Sequence, residues 1–211
     1  MTYASMQQRL VRKAVMARNH FPCGRLVFFA TGNLHKFDEA KRVLAEFDVA
    51  TAMIRIKNLE IQDDDIKNVA KASALEAAQR SHLPVIVEDA GLFIEALNGF
   101  PGPYSKYVHH TIGMEGILAL LKNRQNRKAC FKSVVAFNDA ERVAKCFLGV
   151  VEGSISKEIS GTGGFGFDPI FEPKEKPGKT FGELAVEEKN VISHRSRALR
   201  DFAEWYKKTY V

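Results

Sequence analysis

A short apolar run at residues 25–31 (RLVFFAT) stops at Gly32-Asn33, and residues 34–47 at once take up helical spacing through Phe37, Ala40, Val43, Leu44 and Phe47. An apolar run of that length, closed by a turn signal, reads as a buried strand. Strand, tight turn and helix in direct succession demand a sheet with a helix laid upon it. The pattern then repeats. Residues 49–56 read as a second strand, with Ile54 and Ile56 alternating against charges. Residues 65–81 read as a helix with Ile66, Val69, Ala70, Ser73 and Ala77 on one face. Residues 84–95 hold two apolar runs split by Glu88-Asp89-Ala90-Gly91, and 97–103 form a rigid loop rich in Gly and Pro. A short helix is predicted over 114–122, and two strands over 129–137 and 142–151 turn near Asn138-Asp139 as a hairpin. A last helix spans about Ser193 to Lys208, capped by Ser193, with Ala198, Leu199, Phe202 and Trp205 inward. Helices alternating with strands, then a hairpin, give an α/β domain with a mixed sheet.

A chain of 211 residues suits one domain, or one two-lobed domain. No stretch approaches the roughly 20 apolar residues that cross a bilayer, so no membrane partner is expected. The net charge of +6 is concentrated at one end: residues 1–25 carry Arg9, Arg12, Lys13, Arg18 and Arg25 with no acid, leaving the rest at +1. A nearly neutral body does not suit a nucleic-acid partner, which requires a basic face. Cys23, Cys130 and Cys146 form no CxxC pair and are odd in number, which fits a reducing, cytoplasmic setting. Residues 1–25 read as a basic N-terminal extension to a domain over 26–211. Their composition suits a mitochondrial targeting segment and, equally, a short amphipathic helix or an extension from an upstream start codon.

Four places carry chemistry. Thr31-Gly32-Asn33 lies between a strand and a helix, where outward amides and the helix dipole favour an anion, and Lys36 adds a cation one turn in. The same residues suit an ordinary turn and cap, and no GxxxxGK[ST] sequence is present. Glu88 and Asp89 are acids inside an apolar run, costly to bury unless a cation compensates. Mg²⁺ takes one or two carboxylates together with phosphates, and Glu60 is a candidate second ligand, though alone it reads as a surface acid. Phe165, Gly166, Phe167 and Asp168 sit in a glycine-rich loop over 160–169, where aromatics can be displayed for a purine to stack on. Buried phenylalanines in a hairpin turn are the alternative. Lys189, His194 and Arg195 offer donors for a 6-keto oxygen. His194 and Arg195 lie in a helix's first turn, where cations oppose the dipole, and a locally unfavourable choice marks a functional site.

Taken together, Ala30-Thr31-Gly32-Asn33 with Lys36 and Glu39, Glu88-Asp89-Ala90-Gly91-Leu92, Asn98-Gly99-Phe100-Pro101-Gly102, residues 164–171 (GFGFDPIF), and Glu188-Lys189-Asn190 with Ser193-His194-Arg195 resemble the Ham1 family of inosine triphosphate pyrophosphatases. The resemblance runs from about residue 26 to the C-terminus with the motifs in order. It implies a long mixed β-sheet flanked by helices, in two lobes around a central cleft. It implies hydrolysis of ITP, dITP or XTP to the monophosphate and pyrophosphate, with Mg²⁺, in a homodimer. By position, Thr31, Gly32, Asn33 and Lys36 would hold the triphosphate. Glu60 and Asp89 would ligate the metal, with Asp89 activating water. Phe165 to Asp168 with Lys189, His194 and Arg195 would bind the base. Ala90 departs from the Ser frequent in the family, leaving only its backbone amide for a phosphate. Phe167 replaces a frequent Tyr or Trp.

The motifs of the related Maf-type pyrophosphatases are not found, and a basic nucleic-acid-binding module is opposed by the neutral body. Residues 1–25 contribute no matched motif. A chain beginning at Arg25 is therefore expected to retain full turnover, and loss of its cooperative unfolding transition would instead place the segment on the domain.

Overall fold

The apolar segments supply the strands, and the long central strands decide the rest. The protein is described from a computed structural model, which covers residues 25–56, 61–139 and 144–210. β1 (Arg25–Ala30) and α1 (Leu34–Ala45) form the expected strand–turn–helix unit, followed by β2 (Val49–Ile54) and α2 (Ile66–Ser81). Next come β3 (Val85–Ile94), the two-residue β4 (Pro101–Gly102), α3 (Ser105–Thr111) and α4 (Gly113–Leu120). β5 (Lys128–Asn138) and β6 (Lys145–Ile155) pair antiparallel as predicted, and β7 (Phe171–Pro173), α5 (Val186–Ile192) and α6 (His194–Tyr210) complete the chain. Ser193 does cap α6: its Oγ accepts from Ser196 N at 3.2 Å. Residues 1–24 and Glu60 lie outside the described residues, so the expected N-terminal extension and the Glu60 ligand are not located.

The strands make one seven-stranded sheet in the order β2-β1-β3-β5-β6-β7, with β4 added to β3. β1 runs parallel to β2 and β3, and the remaining pairs are antiparallel. Residues 84–95 depart from expectation. They are one strand, in unbroken register with β5 from Val85↔Asn138 to Ile94↔Ala129. The two acids do not interrupt it, because compensating cations reach Glu88 from other elements. The short α3 and α5, seven residues each, were not foreseen, since neither carries a sustained apolar period.

Long strands serve two lobes. On one face of the first lobe, Val27, Phe29, Ile86 and Val135 pack under Leu44 of α1 and Leu199 and Phe202 of α6. On its other face, Val85, Val87 and Val134 meet the alanines 70, 74, 77 and 78 of α2. Farther along the same strands, Leu92, Ile94, Phe131 and Val151 build the second lobe with Ile117, Ile170, Phe171 and Phe181. α6 seats closely on β6: a Cβ on Gly149 would stand 2.0 Å from the His194 carbonyl oxygen. A side chain there would lift the N-terminus of α6 off the sheet.

The lobes part at a gap in the sheet. β1 covers β3 only through Phe28↔Val85 and Phe29↔Ile86, and β4 covers it only at Leu92 and Phe93. Among the described residues, 87–91 have no strand on that side. β1 ends at this gap, and the turn into α1 follows. A crevice beyond the carboxyl end of a parallel strand is where open α/β sheets bind ligands.

Candidate active site

The turn from β1 to α1 is held by its own side chains. Thr31 Oγ1 accepts from Asn33 N at 3.1 Å, and Asn33 Oδ1 accepts from Lys36 N at 3.2 Å, which makes Asn33 the N-cap of α1. A Cβ on Gly32 would meet nothing within 4 Å, so this part of the turn borders open space. Amides and a helix dipole facing an open crevice suit an anion.

Beneath the turn lies a buried ionic cluster. The Glu88 side chain is fully enclosed, and its Oε1 accepts from Ser133 Oγ at 2.6 Å. Lys36 Nζ stands 2.9 Å from Glu88 Oε2 and donates to the Glu88 carbonyl at 3.2 Å. Arg195 Nε lies 3.1 Å from Glu88 Oε1, an ion pair set off the hydrogen-bond line. Burial alone would raise the Glu88 carboxyl, but Arg195, Lys36 and Ser133 hold it well below the usual carboxylate range. Glu39 extends the cluster: it accepts from Lys189 Nζ at 2.7 Å and from Arg195 Nη1. Burial opposes its charge too, yet Arg195 and Lys189 bring its pKa from 4.5 to about 2. Lys189 donates also to Asp168 Oδ2 at 2.8 Å. Burial would lower the Lys189 pKa, and Asp168 and Glu39 raise it instead. Three cations and three carboxylates thus balance.

Asp89 follows Glu88 on an unbroken strand, so the pleat turns it to the opposite face. That face carries Val85 and Val87 toward α2. Asp89 is half-buried, and its Oδ1 accepts from Ala90 N at 2.9 Å. The amide of Ala90, expected to meet a phosphate, is here engaged by the neighbouring carboxylate.

The glycine loop is anchored to the same cluster. Asp168 Oδ2 accepts from Phe165 N at 2.7 Å as well as from Lys189. Gly164 has φ +71°, and a Cβ there would collide with the Asp168 carboxylate at 2.2 Å, so only glycine permits this closure. Two expectations need correction. Phe167 is not displayed on the loop: it is buried at 3% exposure in the second lobe's core, edge-on to His109. The apolar second lobe captures it, and Gly166 leaves Phe165 alone half-exposed. His194 is not a cation opposing the α6 dipole. Its ring is stacked on Phe131 with centroids 4.6 Å apart, and burial, then Arg195, push its pKa well below 6.5. It is neutral at physiological pH.

The structure therefore brings together Lys36, Asp168, Lys189 and Arg195 around Glu39 and Glu88, with Thr31, Gly32 and Asn33 above and Phe165 at the side. Glu39 and Ser133 were given no role by the sequence, whereas Glu88 was expected to need a compensating cation and meets two, Lys36 and Arg195. Glu39 lies 150 residues from Lys189 and 156 from Arg195, so only the fold reveals these pairs. The burial of an acid inside an apolar run was the one available signal for Glu88.

With this geometry established, likeness to known proteins becomes informative. Residues 27–205 match the family model described as the Ham1 family. The dITP/XTP pyrophosphatase of Methanopyrus kandleri is 51% identical over 181 residues, spanning 86% of this chain and 96% of that protein. That of Thermococcus kodakarensis is 50% identical over 179 residues, spanning 85% and 96%. A Ham1 protein structure from Coxiella burnetii superposes with a TM-score of 0.77 at 29% identity, covering 88% of this chain and 100% of the other.

The depressed Glu39 pKa gives a pH signature. Its share of stability is complete above pH 4.5 and is lost as pH falls toward about 2. At 1.36 kcal/mol per unit, that share is about 3 kcal/mol. Glu39→Gln is expected to be less stable by about that amount at neutral pH, and its stability should fall less steeply between those two pH values. Urea unfolding across pH checks both, and an unchanged neutral-pH stability would refute the coupling.

Proposed function

The chain belongs to the Ham1 family, and from that membership we propose that it hydrolyses the non-standard purine nucleotides ITP, dITP and XTP to monophosphate and pyrophosphate. The observation that carries the reading is the cluster of Lys36, Lys189 and Arg195, which joins an anion-binding turn to an aromatic loop across a cleft. The turn offers amides and Lys36 to the triphosphate. The loop offers Phe165 to the base. Hydrolysis breaks the anhydride between the α- and β-phosphoryl groups, and Asp89 accepts the proton of the attacking water. The bond from Ala90 N fixes its carboxylate for that work.

A metal fits this donor set. Asp89 offers a hard oxygen of the kind Mg²⁺ takes, and phosphates complete the shell. Lys36, Lys189 and Arg195 are already matched by carboxylates, so an entering triphosphate needs positive charge beyond what Lys36 offers. When bound, Mg²⁺ would neutralise charge on the phosphate oxygens. Asp89 would hold it with Glu60. In support, Ile56, four residues before Glu60, packs in the same cluster as Val87, on the face toward which Asp89 turns. Glu60→Gln is expected to raise the Mg²⁺ concentration at half-maximal activity severalfold. An unchanged metal titration would remove Glu60 from the site.

Base choice falls to donors. Lys189 and Arg195 suit a 6-keto acceptor, whereas adenine's amino group would set donor against donor, at about 1–3 kcal/mol per unpaired group. With two such mismatches, kcat/KM for ATP should lie at least about 30-fold below that for ITP, with GTP between. Asp89→Asn should lower kcat by about 10²–10⁴-fold with an unaltered unfolding curve. Equal constants for ITP and ATP, or normal turnover by Asp89→Asn, would overturn the corresponding role. The reading includes a homodimer in the cytoplasm. Free thiols at Cys130 and Cys146 support the compartment. Exposed Tyr107, Ile112 and Leu120 along α3 and α4 offer apolar surface for a second copy to cover.

A further inference from the structure

The half-exposed aromatic of the glycine loop meets a ring from the other lobe. Phe165 stacks on His35, with centroids 5.4 Å apart and planes 19° from parallel. His35 is the second residue of α1, between the cap Asn33 and Lys36, and it is exposed. Lys189 Nζ and Arg195 Cζ lie 4.9 and 5.2 Å from the centre of the Phe165 ring. The ring pair thus spans the cleft directly beside the donors assigned to the base.

We propose that His35 is a specificity-determining residue that supplies the second stacking surface for the purine, which enters between its imidazole and the Phe165 ring. The proposal rests on the pyrophosphatase reading above. Three observations carry it. The two rings are nearly parallel, so a flat base inserted between them meets a face on each side. Phe165 stands between Gly164 and Gly166, at φ +71° and +65°, and a Cβ on Gly166 would meet nothing within 4 Å, so open space adjoins the loop. The rings need to part only by about one ring thickness to admit a base. His35 rides on an exposed helical turn, where its side chain adjusts without disturbing a core. Lys189 and Arg195 both lie over the same Phe165 ring, so the donors and the stacking surfaces belong to one site. His35 therefore acts on the base, while its neighbours Asn33 and Lys36 act on the phosphates.

The distinction is testable with full-length protein, using ITP as substrate and inorganic triphosphate as a base-free competitor. His35→Ala is expected to raise the KM for ITP about 10-fold, with kcat changed less than twofold and the Ki for inorganic triphosphate unchanged. His35→Phe, which restores a ring without a donor, should return KM to within about twofold of the natural value. Five results would overturn the proposal. An unchanged KM in His35→Ala removes the stacking role. A lower KM makes His35 a placeholder that the base displaces. A weaker Ki for inorganic triphosphate, or failure of His35→Phe to rescue, makes the imidazole a phosphate donor. Absence of ITP hydrolysis by the natural protein fells this proposal together with the pyrophosphatase reading. Normal hydrolysis with an unaffected His35→Ala fells this proposal alone.

Discussion

A carboxylate with no exposed side-chain surface must be either protonated or fully compensated, and Glu88 is compensated from three directions. Lys36 reaches it from α1, Arg195 from α6 and Ser133 from the neighbouring strand β5. These contacts fix the first turn of the helix that follows the anion-binding turn and the first turn of the C-terminal helix against one point on the sheet. Removing one partner of such a buried set typically costs about 3–5 kcal/mol, because the remaining charge is left without a counter-charge. The position of the β1–α1 turn relative to the start of α6 thus depends on one enclosed carboxylate.

The same arrangement preorganises the donors. Lys189 and Arg195 are held by carboxylates before any nucleotide arrives, so their geometry does not wait on substrate. Preorganised donors act more strongly on a ligand than mobile ones, since no ordering cost falls on binding. There is a corollary for mutagenesis. Truncating Arg195 takes one cation from Glu39 and from Glu88 together, so an effect on folding accompanies any effect on base choice. Residues proposed to contact the base from outside the ionic cluster report on selectivity more cleanly.

How far the sequence discloses this depends on the range of each interaction. β1, α1, β2 and α2 are legible because each is set by its own apolar period. The β5–β6 hairpin is legible for the same reason. α3 and α5 are one or two turns long and owe their existence to the loops and cores they close, so local pattern does not announce them. At the site, Asn33 and Lys36 declare themselves through a cap signal and a spacing. Phe167 misleads, because glycines on both sides of an aromatic pair say nothing about which ring turns inward. His194 misleads in charge, because desolvation decides its protonation and burial is a tertiary fact. Glu39 is silent: an acid on an amphipathic helix looks like a solvated face until Lys189 and Arg195 arrive from the far end of the chain.

The adjacent pair Glu88 and Asp89 shows how one strand assigns two identical groups to different work. The pleat sends them to opposite faces. Glu88 enters a face where Arg195 and Lys36 lock it in the charged form, with its oxygens committed to the protein. Asp89 faces the side of the sheet on which α2 packs, half-buried, with its Oδ1 accepting from Ala90 N. A carboxylate locked between cations is a poor proton acceptor, whereas one in a partly wet cleft can exchange a proton and meet a metal. Environment, rather than residue type, thereby separates the structural acid from the proposed catalytic one. Where β1 stops short of residues 87–91, the strand has no neighbour on that side among the described residues, and both acids sit at that gap in a strand that spans the two lobes.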